Sequence, residues 1–436
     1  MKRLLALFLV FSLLFVRSSW AEESARAIFD SLLAGRYEEI RSQMDEDMQS
    51  ALSAKALASL LPQIEGYYGP YAGALGEESA QQGEYTVRVL HLRYQSNGVA
   101  FRTVWKDGKI AGLQLQPEAL PSDDAALPDG LTEEDVSIGD PALPGILTLP
   151  RNASSPLPAV VLLHGSGPND RDETVGQTKM FRDLAWGLAK LNIAVLRYDK
   201  RTYVYGASYT PEQLRALTVR EEAMDDAVRA AQLLSADPRI DPNKVFLLGH
   251  SLGASIALRV AAENPGLLAG LALLSGTPKA LGEIVLHQNQ AMADSILTAD
   301  LREEAKAQVD ALKKEYDALL LLSAEEAKER TLFGQNSFYF WDLAQQDTQA
   351  LVQSLDIPIL ILNGGADFQI SDDDGINAWR SLSLPDTVTL RYEPELNHLL
   401  MRPDVPEGIR KTTGEYQFIC HVPNQVIDQI STFILQ

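Results

Sequence analysis

From Pro158 to the end of the chain, continuous apolar runs alternate with stretches whose apolar residues have helical spacing. Each run has the length of a strand, and its lack of polar alternation indicates that both faces of the strand are covered. Strands of this kind, separated by helices, form a mostly parallel sheet with helices on both sides. The sequence therefore predicts an α/β fold. The runs are AVVLLHG, IAVLRYD, KVFLLGH, GLALLSG, PILILNG and TVTLRYE, and the shorter EDVSIG and PGILTLP before them are two further predicted strands.

The third run leads into Gly249-His250-Ser251-Leu252-Gly253, which small and apolar residues follow. A glycine on each side of a serine permits a sharp turn from strand to helix, and such a turn exposes the hydroxyl above the sheet. The N-terminus of the following helix also favours negative charge nearby. Gly-x-Ser-x-Gly alone occurs by chance, but here it stands between a strand and a helix, as a nucleophile elbow requires. Ser251 is therefore the predicted nucleophile.

A serine hydroxyl needs a base to activate it, and the base needs a carboxylate that holds it in place. In a fold of this type the order along the chain is Ser, then Asp or Glu, then His, with both partners on loops after later strands. Asp367 follows PILILNG and His398 follows TVTLRYE, so they are the predicted carboxylate and base. His421, near the last helix, is the competing histidine. The aspartates at 372–374 are interpreted as caps of the next helix.

Acyl-transfer chemistry also needs backbone donors for a developing oxyanion. The N–H of Leu252, directly after the nucleophile, is one predicted donor, and the loop after AVVLLHG should supply the other. That loop is His164-Gly165-Ser166-Gly167-Pro168, and by position its donor is the N–H of Ser166. His164 and His250 are interpreted as structural neighbours. The chain has neither a Gly-x-x-x-x-Gly-Lys-Ser/Thr phosphate loop nor metal-ligand spacing, so no cofactor and no metal are expected.

The beginning of the chain has the pattern of a secretory signal peptide. Lys2 and Arg3 precede an apolar run over residues 4–16, and Ser19-Trp20-Ala21 offers small residues at the offsets of a cleavage site. Residues 1–21 are therefore predicted to be a signal peptide, with a secreted or periplasmic product. The apolar run is too short to span a bilayer comfortably, so no stable membrane insertion is expected after cleavage.

The remaining chain divides into a small module and a large domain. Residues 22–118 show helical spacing first and then a period of two, which predicts an N-terminal α+β module. Its three predicted strands are EYTVRVLHLRY, VAFRTVWKDG and KIAGLQLQP. Residues 119–130 are rich in Pro, Asp and Ala and are interpreted as a linker. The α/β domain is predicted over residues 131–436. Its connection between GLALLSG and PILILNG is unusually long, so residues 279–346 are predicted to form a helical lid over the carboxyl ends of the strands.

Four consecutive aromatic residues, Phe338-Tyr339-Phe340-Trp341, lie near the end of this insertion. Some of them should pack against the sheet domain, and the others are predicted to form an apolar wall near Ser251. Tyr203 and Tyr205 are candidates for extending that wall. Because the insertion shows no obvious basic cluster that faces the site, apolar substrates are expected to be preferred over charged ones.

Charge excludes two classes of partner. The formal net charge is -21 at neutral pH, so nucleic acid and anionic lipid surfaces repel the chain. A small molecule is therefore the expected partner, with no nucleic acid. The sequence does not determine the oligomeric state.

The strings LLHGSGPNDRDE, LRYDKR, LLGHSLGA, NGGADFQI and LNHLL resemble the α/β-hydrolase superfamily, in particular bacterial serine esterases of the EstD type and dienelactone-hydrolase-like or serine-aminopeptidase-like relatives. Such proteins often carry a small N-terminal α+β module of unknown function, as residues 22–118 suggest. The resemblance implies a serine carboxylesterase, a carboxylic ester hydrolase that uses Ser251, Asp367 and His398. A peptidase, a thioesterase or an acyltransferase with the same triad is the alternative. After RYDKR the chain departs from the family pattern with Thr-Tyr-Val-Tyr-Gly, which leaves substrate choice open.

Overall fold

The computed structural model describes residues 24–95, 97–118, 125–153, 156–296, 299–405 and 410–436. The predicted signal peptide, residues 1–21, lies outside the described residues, and so do positions 119–124 of the predicted linker. The chain divides into two compact units. The described residues of the first unit lie within Met1–Ser122 and Val405–Gln417, and those of the second lie within Asp123–Asp404 and Phe418–Gln436.

The first unit has four helices followed by an antiparallel sheet in the order β1-β2-β3-β4. The side chains of Ser24, Asp45 and Ser53 cap three of its helices by accepting hydrogen bonds from backbone N–H groups in the first turn. Phe29 from a helix and Phe101 from a strand meet in its core. The elements are α1 Ala25–Leu33, α2 Tyr37–Ser42, α3 Glu46–Ala51, α4 Ala54–Tyr68, β1 Tyr71–Gln82, β2 Tyr85–Tyr94, β3 Gly98–Lys106 and β4 Lys109–Glu118.

Two features of this unit differ from the prediction. The sequence predicts three strands, whereas β1 is a fourth, edge strand whose residues are exposed or half-buried. The second difference is that the segment Val405–Gln417, which was predicted to belong to the α/β domain, packs within the first unit. There Gln95 Nε2 donates a hydrogen bond to Thr412 Oγ1 at 3.1 Å, and the Arg93 guanidinium donates to the backbone carbonyl of Gln417.

The second unit is built on an eight-stranded sheet in the order β16-β15-β12-β11-β7-β10-β6-β5. The six strands from β16 to β10 are parallel, and β6 and β5 are antiparallel additions at one edge. All eight strands of the predicted α/β fold are confirmed. They are β5 Leu131–Ile138, β6 Leu143–Pro150, β7 Leu157–Leu163, β10 Ala194–Tyr198, β11 Ile240–His250, β12 Gly270–Leu274, β15 Ile359–Gly364 and β16 Val388–Glu393, and the short hairpins are β8 Thr174–Val175 with β9 Thr178–Lys179 and β13 Thr331–Leu332 with β14 Gln335–Asn336.

The order of the strands reverses at β7, because β10 and β11 lie on its two sides and both run parallel to it. In open sheets of this kind ligands bind at the carboxyl ends of the strands near such a reversal. The helices of this unit are α5 Met180–Lys190, α6 Arg201–Tyr205, α7 Pro211–Ala216, α8 Asp225–Ala236, α9 Leu252–Glu263, α10 Leu281–Ser295, α11 Ala299–Leu319, α12 Ala324–Lys328, α13 Ser337–Ala344, α14 Thr348–Ser354, α15 Ile376–Ser381 and α16 Asn424–Leu435. The apolar residues of α8, α9 and α14 join the large core of the sheet.

The long connection between β12 and β15 holds helices α10 to α14. Part of this insertion has its own small apolar core, in which Leu286, Tyr316 and Phe340 are buried. Throughout the described part of the chain, no helix combines the length and the apolar character needed to cross a membrane.

Candidate active site

A cavity of about 1150 Å³ lies beside Ser251 in the second unit. Ser166 and Leu252, whose N–H groups are the predicted oxyanion donors, line it together with the nucleophile. Its opposite wall comes from the insertion, including Ile284 of α10 and Tyr339 of α13. The predicted nucleophile and both predicted donors therefore lie at one cavity, at the carboxyl end of β11 and next to the β7 reversal.

The turn at Ser251 is as tight as the two glycines suggest. A Cβ on Gly249 would lie 2.2 Å from the Gly253 carbonyl oxygen, and a Cβ on Gly253 would lie 2.3 Å from the Leu163 carbonyl oxygen. Ser251 itself adopts φ 54° and ψ -120°, a conformation that costs a non-glycine residue about 1–3 kcal/mol. The fold maintains it by a hydrogen bond from the Ser251 N–H to the Leu274 carbonyl at 2.9 Å. This strained turn places the serine at the N-terminus of α9.

Asp367 and His398 form a buried pair. His398 Nδ1 lies 2.7 Å from Asp367 Oδ2, and both side chains are almost entirely buried. The other carboxylate oxygen, Oδ1, accepts the backbone N–H groups of Gln369 and Ile370, each at 2.8 Å. These bonds fix the carboxylate, and the carboxylate fixes the ring. Asn397 holds the histidine loop from within, because its Oδ1 accepts hydrogen bonds from two backbone N–H groups further along that loop.

The second ring nitrogen of His398, Nε2, makes no hydrogen bond with any residue that the structure describes, and the Ser251 hydroxyl makes none either. Catalytic hydrogen bonds are often long without substrate and tighten when it binds. His421, the competing histidine, is far more exposed than His398, and its Nδ1 lies 3.1 Å from Asp183 on α5. The structure thus pairs His398 with Asp367, as predicted, and gives His421 a different carboxylate.

The loop His164–Pro168, called the oxyanion loop below, follows β7. A Cβ on Gly165 would lie 3.1 Å from the Ser251 Cβ, so the missing side chain lets the loop pack against the nucleophile. His164 Nε2 lies 3.0 Å from the Asp170 carbonyl oxygen and must therefore carry a proton. Burial lowers the pKa of His164 from 6.5 to about 4, so the ring is neutral at working pH. His164 is a neutral structural donor, in agreement with its predicted role.

A second buried histidine–carboxylate pair lies behind the nucleophile. His250 Nδ1 lies 3.0 Å from Glu173 Oε2, and His250 Nε2 donates to the His398 carbonyl at 2.9 Å. Burial alone would lower the pKa of His250, but the Glu173 carboxylate outweighs burial and raises it. Burial alone would raise the pKa of Glu173, but His250 outweighs it and lowers it. Each residue therefore favours the charged form of the other, and the His250 ring lies 4.9 Å from the His398 ring.

Several residues at this site were not predicted. Glu173 and Lys200 stand in the strings DRDE and YDKR, and both contact the oxyanion loop. Asp374 was interpreted as a helix cap, but its carboxylate instead contacts Lys279 and His287. The N-cap of α15 is Gly375, and no side chain caps this helix. Lys200 stands just after the apolar strand β10, whereas neither Glu173 nor Asp374 directly follows a long apolar strand. Only Lys200 therefore carries a sequence signal.

The four aromatic residues of the insertion divide between the cavity wall and the insertion's own apolar core, against which Phe338 and Trp341 pack in place of the expected sheet domain. Tyr339 and Phe340 line the cavity, whereas the rings of Phe338 and Trp341 stack on each other at a centroid distance of 5.8 Å. The prediction that Tyr203 and Tyr205 extend the wall is wrong, since other residues of the same loop line the cavity: Thr202, Gly206, Ala207 and Tyr209. Tyr203 instead faces solvent.

Basic residues reach the cavity, which the sequence did not suggest. Arg215, Lys279, Lys328 and Arg330 are among its lining residues. Arg215 pairs with Glu212 at 3.0 Å, Lys279 with Asp374 at 2.6 Å and Lys328 with Glu325 at 2.8 Å. Among the described residues, no group of three or more His, Cys, Asp or Glu side chains is arranged to hold a metal ion.

Comparison with known proteins agrees with this geometry. Residues 154–403, more than half of the chain, match the family described as serine aminopeptidase, S33. Esterase EstD of Thermotoga maritima is 30% identical over 419 residues, which cover 95% of each chain. The chain belongs to the α/β-hydrolase superfamily, in the esterase family that includes EstD. The prediction of a carboxylic ester hydrolase is thereby confirmed at the level of the family.

The first unit has its own match. Residues 25–113 correspond to a family described as protein of unknown function (DUF3887). Among solved structures, an esterase of Pyrococcus furiosus has a TM-score of 0.43 at 14% identity and covers 72% of this chain and 96% of its own. Est1E of Butyrivibrio proteoclasticus has a TM-score of 0.41 at 14% identity, with coverage of 68% and 98%.

Proposed function

We propose that this α/β-hydrolase cleaves carboxylic esters by nucleophilic catalysis at Ser251. The Ser251 Oγ forms a bond to the ester carbonyl carbon while His398 Nε2 takes the hydroxyl proton. Asp367 orients the ring and stabilises its positive charge. The N–H groups of Ser166 and Leu252 bind the oxyanion of the tetrahedral intermediate. As the intermediate collapses, the C–O bond breaks and His398 returns the proton to the leaving alcohol.

Water completes the cycle on the acyl-enzyme. His398 takes a proton from the water as its oxygen attacks the acyl carbon, and the second tetrahedral intermediate uses the same two donors. The bond to Ser251 then breaks, and the proton returns to the serine as the carboxylic acid leaves. Every proton moves between Ser251, His398, water and substrate, so the cycle requires no cofactor or metal.

The observation that carries the proposal is the state of the His398 ring. Its Nδ1 is fixed on Asp367 at 2.7 Å, while its Nε2 has no hydrogen-bond partner in the described structure. His250, the residue directly before Ser251, lies against this ring at 4.9 Å. A carboxylate-oriented imidazole with one unused nitrogen, beside a serine in a strained elbow, is the arrangement that general-base activation needs.

The reaction class is tested by turnover of an oxygen ester, a thioester and an amide. The purified protein is assayed with p-nitrophenyl butyrate, butyryl thioester and an aminoacyl p-nitroanilide. We expect the highest kcat/KM for the oxygen ester. Ser251→Ala should lower kcat on the ester by about 10⁴-fold or more. Ser235→Ala, on α8, serves as the control. A higher kcat/KM for the anilide or the thioester would favour the peptidase or thioesterase alternative.

The cavity supports a preference for apolar acyl or alcohol groups. Leu281, Ile284 and Phe340 belong to its wall, and three of the basic residues beside them already have carboxylate partners. Each methylene that enters this wall should improve kcat/KM by up to about 1 kcal/mol, or roughly fivefold, until the cavity is filled. A p-nitrophenyl ester series of increasing chain length measures this. A flat series, or a preference for a charged acyl group, would contradict the apolar wall.

We also propose that the protein is exported. The support is the order of Lys2 and Arg3, the apolar run over residues 4–16 and the small residues that end at Ala21. Expression of the full chain in a bacterial host, followed by fractionation and N-terminal sequencing, tests this. The mature protein should begin near Glu22 and be recovered outside the cytoplasm. An uncleaved cytoplasmic protein would contradict export.

A further inference from the structure

Lys200 is a fully buried lysine, with 1% of its surface exposed, and it follows β10 beside the oxyanion loop. Its Nζ donates hydrogen bonds to the carbonyl oxygens of Gly165 at 2.9 Å and Gly167 at 3.0 Å. It also lies 3.0 Å from Glu222 Oε1. An ammonium group has three N–H donors and no acceptor, so these three acceptors match its donors in number. Lys200 Nζ is therefore fully engaged by two carbonyl oxygens of the oxyanion loop and by the Glu222 carboxylate.

Glu173 binds the same loop as a hydrogen-bond acceptor, whereas Lys200 binds it as a donor. Glu173 Oε1 accepts the backbone N–H of Gly165 at 2.6 Å, while Lys200 binds the carbonyl of that residue. Both backbone polar groups of Gly165 are thus held by buried charged side chains. Gly165 is also the loop residue whose missing Cβ allows contact with Ser251. The loop is fixed at the point where it touches the nucleophile.

Peptide geometry carries the effect of Lys200 to the next residue. The Gly165 carbonyl and the Ser166 N–H belong to one planar trans peptide, in which C=O and N–H point in opposite directions. Since Lys200 binds the carbonyl, the Ser166 N–H points away from the ammonium group. In the described part of the chain this N–H has no hydrogen-bond acceptor, and Ser166 lines the cavity together with Ser251 and Leu252.

We propose that Lys200 is a positioning residue that fixes the Gly165–Ser166 peptide so that its N–H is aimed at the oxyanion. The inference rests on the proposed function, because an oxyanion forms only if Ser251 attacks a carbonyl. Burying a lysine costs free energy, and an apolar side chain would stabilise the fold at least as well. The positive charge of Lys200 is needed if the carbonyl oxygens of Gly165 and Gly167 are to point away from the oxyanion while the Ser166 N–H points toward it. Such preorganised donors act mainly in the transition state.

The test compares two neighbouring lysine and arginine variants. Lys200→Met removes the contacts to the loop. Arg201→Met is the matched control, because Arg201 pairs with buried Asp226 and contacts no residue of the oxyanion loop, and Arg229 still pairs with Asp226 after the change. With p-nitrophenyl butyrate, Lys200→Met should lower kcat by about 10²–10³-fold, the effect of losing one oxyanion donor, and change KM less than about threefold. Arg201→Met should keep kcat within about threefold of wild type.

Lys200→Met leaves Glu222 as an unpaired buried carboxylate, and that variant can fail to fold. The double variant Lys200→Met/Glu222→Gln removes both charges and should fold, as judged by circular dichroism and a cooperative thermal transition. It should show the same loss of kcat as the single lysine variant. A folded double variant whose kcat lies within about threefold of wild type would overturn the proposal.

The inhibition constant of a transition-state analogue does not depend on the stability of the folded variant. Ser251 adds to an alkyl trifluoromethyl ketone to form a hemiketal oxyanion, which needs the same N–H donors. Its Ki should rise in the double variant by the factor by which kcat/KM falls, while the Ki of a non-reactive alkyl amide stays the same. Equal weakening of both inhibitors would overturn the role of Lys200 and leave the esterase intact. Ester turnover that survives Ser251→Ala would instead overturn the proposed function.

Discussion

Two histidine–carboxylate pairs lie side by side near Ser251, with ring centroids 4.9 Å apart, and they differ in which ring nitrogens already have a partner. His398 binds Asp367 through Nδ1 and leaves Nε2 without a partner in the described structure. His250 faces Glu173 through Nδ1 and donates through Nε2 to the His398 carbonyl. The first ring can accept a proton from a nucleophile. In the second ring both nitrogens already face fixed oxygen atoms, at 3.0 Å and 2.9 Å, so neither is available to a nucleophile.

The difference teaches that burial and a carboxylate partner do not by themselves make a histidine a base. Both pairs are buried. His250 is the last residue of β11, and His398 lies on the loop after β16. What decides the role is whether one nitrogen stays available beside the serine. The Glu173–His250 pair instead links the oxyanion loop to the His398 loop, since Glu173 also accepts the Gly165 N–H.

The largest effect should separate the two histidines. His398→Ala should lower kcat by about 10⁴-fold or more, because no other group can take the Ser251 proton. His250→Gln keeps a donor near the His398 carbonyl and should lower kcat by only about 10–100-fold, through small displacements of the catalytic groups. Steady-state kinetics on p-nitrophenyl butyrate measure both, with His421→Gln as the control. An equal loss of kcat in His398→Ala and His250→Gln would contradict the assignment of His398 alone as the base.

The two carboxylates should differ in the same direction. Asp367→Asn should lower kcat by about 10⁴-fold, because an amide favours the wrong tautomer of His398. Glu173→Gln keeps an acceptor for the Gly165 N–H and should cost at most about 100-fold. The half-buried pair of Glu118 with His91 provides the matched control, Glu118→Gln. If Glu173→Gln proved as inactive as Asp367→Asn, Glu173 would belong to the chemistry and not to positioning.

Stability against pH distinguishes a charged pair from a neutral one. The raised pKa of His250 gives stability that is fully present below 6.5 and is lost as pH rises through the raised value. The lowered pKa of Glu173 gives stability that is fully present above 4.5 and is lost as pH falls through the lowered value. Glu173→Gln should therefore lower the free energy of unfolding most between pH 4.5 and 6.5, by about 4 kcal/mol. Urea titrations across this range measure it, and a difference independent of pH would contradict the ion pair.

His164 should show the opposite slope, since its pKa is lowered and not raised. Its neutral form stabilises the fold fully above pH 6.5, and that contribution is lost as pH falls to about 4. The loss amounts to roughly 3 kcal/mol for a shift of this size. His164→Gln retains a donor for the Asp170 carbonyl and should have a flatter dependence of unfolding free energy on pH between 4 and 6.5. An unchanged slope would mean that His164 is not the group that titrates.

Much of the fold follows from local patterns. The eight strands of the large sheet are continuous apolar runs, and burial on both faces demands that composition. Strand β1 was not predicted, because YAGALGEESAQQ is rich in residues that disfavour strands and buries no side chain fully. The packing of Val405–Gln417 within the first unit had no sequence signal either. Those contacts form between residues more than 300 positions apart in the chain.

The candidate site divides in the same way. Ser251, Asp367 and His398 could be proposed because each stands directly after an apolar strand, where the fold gathers its reactive groups. Lys200 also follows a strand, but its contacts, like those of Glu173, are to backbone atoms of the oxyanion loop. The order of side chains in the sequence does not show the direction of a backbone carbonyl or N–H group. Their roles became visible only with the peptide planes in place.

The most direct test of the account is covalent labelling of the nucleophile. Fluorophosphonate is added to wild type, Ser251→Ala and His398→Ala, and the modified residue is identified by mass spectrometry of peptides. We predict one adduct, at Ser251, in wild type, no adduct in Ser251→Ala, and strongly slowed labelling of Ser251 in His398→Ala. Rapid labelling of another serine in Ser251→Ala would contradict the assignment of the nucleophile and, with it, the proposed mechanism.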